Sequence, residues 1–229
     1  MTLVKKFCAE FIGTFVLVLF ACGTATVLNC STEHIGSYIL TAAAFGLVIV
    51  AMAYSIGNVS GCHINPAVSL GVLLTGGMTI VEFIVYIVAQ FAGATAGAAV
   101  LGLLVGFDKS LGTNAWFKAT ETSLGSWKRS LVIEVILTFV FVLVILAVCS
   151  KKKYEKLAGI VIGSTLTLVH IFGIYFTGTS VNPARSFGPA IIKGGAALQS
   201  YWVFLVAPLV GGALAALVFR LLIKSKEEE

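Results

Sequence analysis

Apolar residues run along the chain in six long stretches, at roughly 7–28, 37–57, 79–105, 129–149, 157–176 and 200–223. A helix that crosses the hydrocarbon of a bilayer needs about 20 mostly apolar residues, so each stretch predicts one span. Glycine recurs inside them, at Gly13, Gly46, Gly93, Gly97, Gly102, Gly163, Gly211 and Gly212. In a soluble helix each would be a defect. In a membrane bundle small residues let backbones approach closely, which makes Gly93-x-x-x-Gly97 and Gly211-x-x-x-Ala215 predicted crossing points. Two further apolar segments, about 66–76 and 183–193, are too short to span. Each opens on Asn-Pro, a strong N-cap followed by the residue favoured in a first helical turn. Each therefore predicts a half-helix that starts inside the membrane, which is tolerated only where the end is buried in protein or lines water.

The two short segments carry the same tripeptide, Asn65-Pro66-Ala67 and Asn182-Pro183-Ala184, in matching frames. Ser60-Gly61-Cys62-His63-Ile64 precedes the first and Thr177-Gly178-Thr179-Ser180-Val181 the second. At roughly 5% per residue type, a given tripeptide arises by chance at about one position in 10⁴. The match extends further. Glu10-x-x-x-Thr14-Phe15 reappears as Glu134-x-x-x-Thr138-Phe139, Gly46 as Gly163, and Ala89-Gln90-x-x-Gly93 as Ala207-Pro208-x-x-Gly211. Residues 1–115 and 116–229 thus form two halves of one domain, each with three spans and one half-helix. Three is odd, so the second half enters from the opposite face. In such inverted repeats the functional site lies near the midplane where the halves meet.

Composition agrees with lipid as solvent. The chain of 229 residues is 59% hydrophobic and 11% charged, against about 25% charged in a soluble domain. The net charge of +5 is modest. No basic stripe with polar interleaving is present, so a nucleic-acid partner is not expected. The five cysteines (Cys8, Cys22, Cys30, Cys62 and Cys149) form no CxxC pair. They read as small buried hydrophobes, not as a disulfide framework or metal site. Lys5 and Lys6 precede an apolar run too long for a signal peptide, which predicts an uncleaved first span. The cluster Lys151, Lys152, Lys153 and Lys156 lies in a short loop, and Arg220, Lys224 and Lys226 follow the last span. The positive-inside rule then puts both termini in the cytoplasm, with Lys109, Lys118, Lys128, Arg129 and Lys193 outside. The polar stretch 106–128 is the expected outer connector between halves.

Three residue types carry candidate chemistry. Asn65 and Asn182 would cap two helices meeting end to end. Their unpaired N–H groups, dipoles and side-chain amides would make a donor-rich, cation-repelling point. Arg185 follows the second motif only; Val68 stands in the matching place. A membrane-embedded Arg is costly and marks function. Glu10 and Glu134 admit two readings. Intramembrane carboxylates can couple protons, or each can accept hydrogen bonds from the loop that holds its motif. Their matched placement favours bracing.

The paired Asn-Pro-Ala motifs and Asn-Pro-Ala-Arg give the chain a clear family resemblance. From Glu10 to Arg220 it resembles the aquaporins of the major intrinsic protein family, and within them the bacterial water channels. The resemblance implies an all-α membrane protein, a right-handed bundle of six transmembrane helices plus two re-entrant half-helices. It implies one pore per chain, homotetramers, an inner-membrane location, no cofactor and no catalytic step. Water is the implied permeant. It implies an outer selectivity filter of Phe45, His170, Thr179 and Arg185. It also implies backbone carbonyls lining the path at Gly61, Cys62, His63, Thr177, Gly178 and Thr179. Relatives that pass glycerol carry a small residue at the His170 position and Asp after Asn-Pro-Ala-Arg. Here His170, Ser186, Ala190 and Phe204 match the water channels, while Leu205 stands where those usually have Trp. The nearest alternative is a facilitator of glycerol or another small neutral solute. The alternative from another class is a proton-coupled transporter using Glu10 or Glu134. His63 is expected as a packed loop residue and His34 as a solvent-exposed one. Cys62 is the repeat partner of Thr179 and so is predicted beside the pore. Mercurials are expected to slow permeation measured in vesicles, and Cys62→Ser protein is expected to be insensitive; a Cys62→Ser protein that is still inhibited removes that placement.

Overall fold

The computed structural model describes residues 1–116 and 126–222. Among these, six helices are long and apolar enough to cross a membrane. They are α1 (Leu3–Val27), α2 (Ile35–Ser60), α4 (Ile80–Val105), α5 (Ser126–Cys149), α6 (Ala158–Thr177) and α8 (Gly195–Leu222). Two short helices lie between them, α3 (Pro66–Leu74) and α7 (Pro183–Lys193). The described fold is all-α, as expected, and each apolar stretch became a helix. Lys118, Lys224 and Lys226, part of the charge pattern above, fall outside the described residues, as does the connector over 117–125.

Local sequence sets the ends. Thr2 caps α1 and starts it at Leu3, before the apolar run, with Lys5 and Lys6 inside the helix. Thr79 and Glu82 form a capping box on α4, satisfying two of the donors a helix start leaves open. Lys6 pairs with Glu82 and ties the first turns of α1 and α4 together. Gly61 and Gly178 end α2 and α6 in the left-handed region, at φ +85° and +76°, where glycine carries no steric penalty. One feature has no signature in the apolar pattern: α1 widens to a π-helix over Leu17–Cys22. In α3 the helix stops at Leu74, two residues before the expected end, and Gly76 turns the chain at φ +81°.

The spans pack in matched pairs. α1 lies against α4, α5 against α8, and α2 against α6 across the middle. α3 rests on α8 and α4, and α7 on α4 and α8. Glycine makes these approaches possible. A Cβ built on Gly97 would lie 2.7 Å from the Phe15 carbonyl of α1, and one on Gly211 2.6 Å from the Val135 carbonyl of α5. Both predicted crossing segments are therefore contacts in fact. Gly46 and Gly163 face each other where α2 crosses α6. Large apolar side chains such as Phe20, Leu47, Leu103, Leu168 and Phe172 point outward, while Ala42, Ala67, Ala98, Ala184 and Ala215 are buried. That distribution suits association by close packing in lipid, where apolar burial supplies no drive between helices.

Filling the central crossing is expected to be costly. The Cβ of Gly163 would sit 2.6 Å from the Gly46 carbonyl, so Gly163→Val should destabilise by about 1–3 kcal/mol through overpacking. Thermal unfolding in detergent reads this, with Gly57→Ala as control because nothing lies within 4 Å of that site.

Candidate functional site

The two half-helices meet at their N-termini. Asn65 Oδ1 accepts from the Ala67 N–H at 2.9 Å, and Asn182 Oδ1 accepts from Ala184 and Arg185 N–H, each at 3.1 Å. The other half of each carboxamide reaches across. Asn65 Nδ2 donates to the Val181 carbonyl and Asn182 Nδ2 to the Ile64 carbonyl, both at 2.8 Å. Each NH₂ carries a second hydrogen, and both Asn residues border a narrow space of about 20 Å³.

The loops before the motifs repeat their backbone as well as their sequence. Cys62 and Thr179 lie at φ +52° and +50°, Ile64 and Val181 at +42° and +47°. For the β-branched Ile64, Thr179 and Val181 these are outliers, and strain of this kind persists only where the surroundings over-determine it. The surroundings are two fully buried carboxylates. Glu10 Oε1 accepts from Ser60 Oγ (2.7 Å) and His63 N–H (2.9 Å), and its Oε2 from Ile64 N–H (2.6 Å) and Gln90 Nε2 (2.8 Å). Glu134 Oε1 accepts from Thr177 Oγ1 (2.6 Å) and Ser180 N–H (2.8 Å), and its Oε2 from Val181 N–H (2.8 Å). Gln90 has no counterpart around Glu134, because Pro208 occupies the matching place on α8. Neither carboxylate borders the cavities described below.

The narrow space lies between two wider ones. On the side of Cys149 and Ser150 a cavity of about 480 Å³ is bordered by Gly61, Cys62 and His63 among others. It shares Ile49, His63 and Phe141 with the constriction. On the connector side a cavity of about 210 Å³ is bordered by Thr41, Ser110, Thr113 and Gly178. It shares Phe45 and Arg185 with the constriction. Apolar residues, among them Leu17, Ile49, Phe141 and Leu166, make up much of the narrow wall.

Phe45, His170 and Arg185 come together there. The Phe45 and His170 rings stack at 4.1 Å, and the guanidinium lies 4.8 Å from the Phe45 ring centre. His170 Nδ1 is 2.8 Å from the Leu166 carbonyl. A carbonyl only accepts, so Nδ1 carries the hydrogen and a neutral ring turns a lone pair outward at Nε2. That Nε2, the Arg185 Nε and the Thr41 hydroxyl are buried without a partner among the described residues. Thr179 is set apart from this group. Its side chain packs toward Gly173 of α6 and does not border the constriction. The Thr177 carbonyl is also engaged, accepting from Asn114 Nδ2 at 3.0 Å. His63 is half-buried, with Nδ1 3.1 Å from Ser69 Oγ, and His34 is exposed.

One residue of the site has no sign in the motifs. Asn114, in the connector, is buried, and its Oδ1 accepts from Arg185 Nη1 and Ser186 Oγ, both at 2.7 Å. Gly112 adds its carbonyl to the same Nη1 at 2.7 Å. The only hint in the sequence is an Asn in a stretch otherwise polar enough to pass for loop.

The arrangement defines a class: a bundle of membrane-length helices whose two half-helix ends meet beside a constriction joined to two wider cavities, with no cluster of three or more metal-ligating side chains among the described residues. The family model described as Major intrinsic protein matches residues 1–219. The chain is 40% identical to Aquaporin Z of Rhodopseudomonas palustris, over 95% of this chain and 93% of that one. It is 38% identical to Aquaporin Z of Bradyrhizobium diazoefficiens, over 94% and 92%. The solved aquaglyceroporin of Plasmodium falciparum superimposes with a TM-score of 0.84, at 27% identity and 99% coverage of both chains. This chain belongs to the major intrinsic protein family.

Removing an acceptor from the brace should show in stability. Glu134→Gln replaces one oxygen with a donor that faces loop donors, an expected loss of about 1–3 kcal/mol. Thermal unfolding in detergent measures it, with the exposed Glu33→Gln as reference.

Proposed function

We propose that the protein is a passive water channel, conducting single-file water while excluding ions and protons. The observation that carries this reading is the constriction of about 20 Å³ between two larger cavities. A single water needs about 10–15 Å³ of such space, so the narrow point suits one molecule at a time. Donors and acceptors without partners stand in or beside its wall: the second hydrogens of Asn65 and Asn182, the Nε2 of His170 and the Nε of Arg185. A water passing here exchanges hydrogen bonds with these groups and meets apolar surface elsewhere. An ion would have to leave its hydration shell with few groups to replace it. Cations are repelled further by Arg185 and by the two helix N-termini. The same positive potential, centred on Asn65 and Asn182, opposes a proton along the water file. The names of the Aquaporin Z relatives support the same conclusion.

The solved relative is an aquaglyceroporin, which keeps a glycerol facilitator as the second reading. The constriction argues against it, because about 20 Å³ beside the stacked Phe45 and His170 rings is room for little more than one water and too little for a three-carbon chain. Proton coupling through Glu10 or Glu134 finds less support. Each carboxylate accepts three hydrogen bonds from the segment before its motif, Glu10 takes a fourth from Gln90 of α4, and both stand outside the cavity walls.

Several further features belong to the proposal. The filter is Phe45, His170 and Arg185, with Thr179 behind it. Carbonyls of Gly61, Cys62, His63 and Gly178 supply acceptors toward the two vestibules. Glu10 and Glu134 brace the loops. The halves 1–115 and 116–229 act as inverted repeats, so that each supplies one half-helix. The chain assembles as a homotetramer in the inner membrane, with both termini cytoplasmic.

Stopped-flow light scattering of reconstituted vesicles tests the reading. Sucrose shock should give shrinkage well above protein-free vesicles, and glycerol shock should give little solute entry. Arg185→Ala is expected to keep water flux but to loosen glycerol or ion exclusion. Wild-type vesicles no faster than lipid alone would sink the channel assignment.

A further inference from the structure

Arg185 is 2% exposed, yet among the described residues no carboxylate lies within ion-pair distance of it. Burying an unpaired charge is costly, and proteins usually supply a counter-ion. Here the partners are uncharged. Nη1 donates to the Gly112 carbonyl and to Asn114 Oδ1, both at 2.7 Å, while Nε has no partner. Glu134 is the buried carboxylate of the second half, and the donors of Thr177, Ser180 and Val181 occupy its oxygens.

We infer that Asn114 is a positioning residue that holds Arg185 at the constriction without neutralising it. Its carboxamide does three things at once. Oδ1 accepts from Arg185, the same oxygen accepts from Ser186 Oγ, and Nδ2 donates to the Thr177 carbonyl. The connector is thereby joined to the loop before the second motif and to the first turn of α7. An Asp in this place would match the acceptor geometry toward Arg185 and Ser186. It would also add a charge-assisted bond. It would lose the donor to Thr177 and cancel the charge that faces the passage. A carboxamide has the right shape with no net charge, so the guanidinium keeps its full field toward a passing cation. Two roles separate here: geometry, which any Oδ1 acceptor supplies, and charge, which only a neutral one preserves.

The inference rests on Arg185 bordering the permeation path, and the experiment keeps the two apart. Wild-type, Asn114→Asp and Asn114→Ala proteins are reconstituted in vesicles. Three readouts are taken: osmotic water flux, glycerol entry, and proton or potassium flux under an imposed gradient. Asn114→Asp should hold water flux within about twofold and raise cation flux by about tenfold, as neutralising one nearby fixed charge would. Asn114→Ala leaves the Gly112 carbonyl as the one remaining acceptor of Nη1, loosens the guanidinium and should raise glycerol entry by a comparable factor. Cation flux unchanged in folded Asn114→Asp overturns the charge role. Glycerol exclusion unchanged in Asn114→Ala overturns the positioning role. Should Asn114→Asp fail to purify as a monodisperse protein, Thr113→Asp puts a carboxylate on the wall of the same outer cavity as Arg185 and leaves Asn114 intact; unchanged cation flux there overturns the charge role equally. Wild-type vesicles that carry no water would instead overturn the channel reading itself.

Discussion

A helix that stops inside a bilayer leaves backbone N–H groups with no water to bind, and in hydrocarbon each such group costs several kcal/mol. This chain does so twice and places the two ends against each other. Each Asn closes its own helix with Oδ1 and the opposite loop with Nδ2, so the two half-helices complete one another where they meet. The reciprocal pair Asn65 to Val181 and Asn182 to Ile64 is the joint on which the rest of the structure depends.

Around that joint two buried carboxylates fix the loops. The loops run through left-handed conformations at Cys62, Ile64, Thr179 and Val181, three of them β-branched residues that avoid this region. Glu10 and Glu134 hold them there by accepting the N–H groups of the residues just before each Asn. Two buried carboxylates would be costly if left open; each is ringed by donors instead. The same loops border the wide cavities, so the strain, the braces and the walls are one construction seen from different sides. The passage itself is left with a small set of unpartnered groups amid apolar surface. That contrast gives a water somewhere to bind at the narrow point and gives an ion too little.

The asymmetry between halves matters as much as the repeat. Val68 sits where the second half has Arg185, and Gln90 where it has Pro208. Gln90 reaches Glu10 and Ser69 on one side. On the other side the connector takes over, with Asn114 reaching Arg185, Ser186 and Thr177. The duplicated frame thus carries one charged constriction, placed toward the connector side, instead of two.

Much of this was legible in the chain itself. Six spans were, because hydrocarbon demands about 20 apolar residues and nothing else in a protein does. The two half-helices were, because Asn-Pro starts a helix and ten apolar residues cannot cross. Glu10 and Glu134 could be paired by their matching frames, though not assigned partners. What only the tertiary structure decided is where distant segments meet. The stacking of Phe45 on His170, the retreat of Thr179 behind the wall and the capture of the Thr177 carbonyl by Asn114 join residues from distant segments. The π-helical turns at Leu17–Cys22 leave the apolar pattern unchanged and so give no signal. Solvent selects by residue type, and residue type is written along the chain. A hydrogen bond selects by distance and direction, and those exist only once the helices have packed.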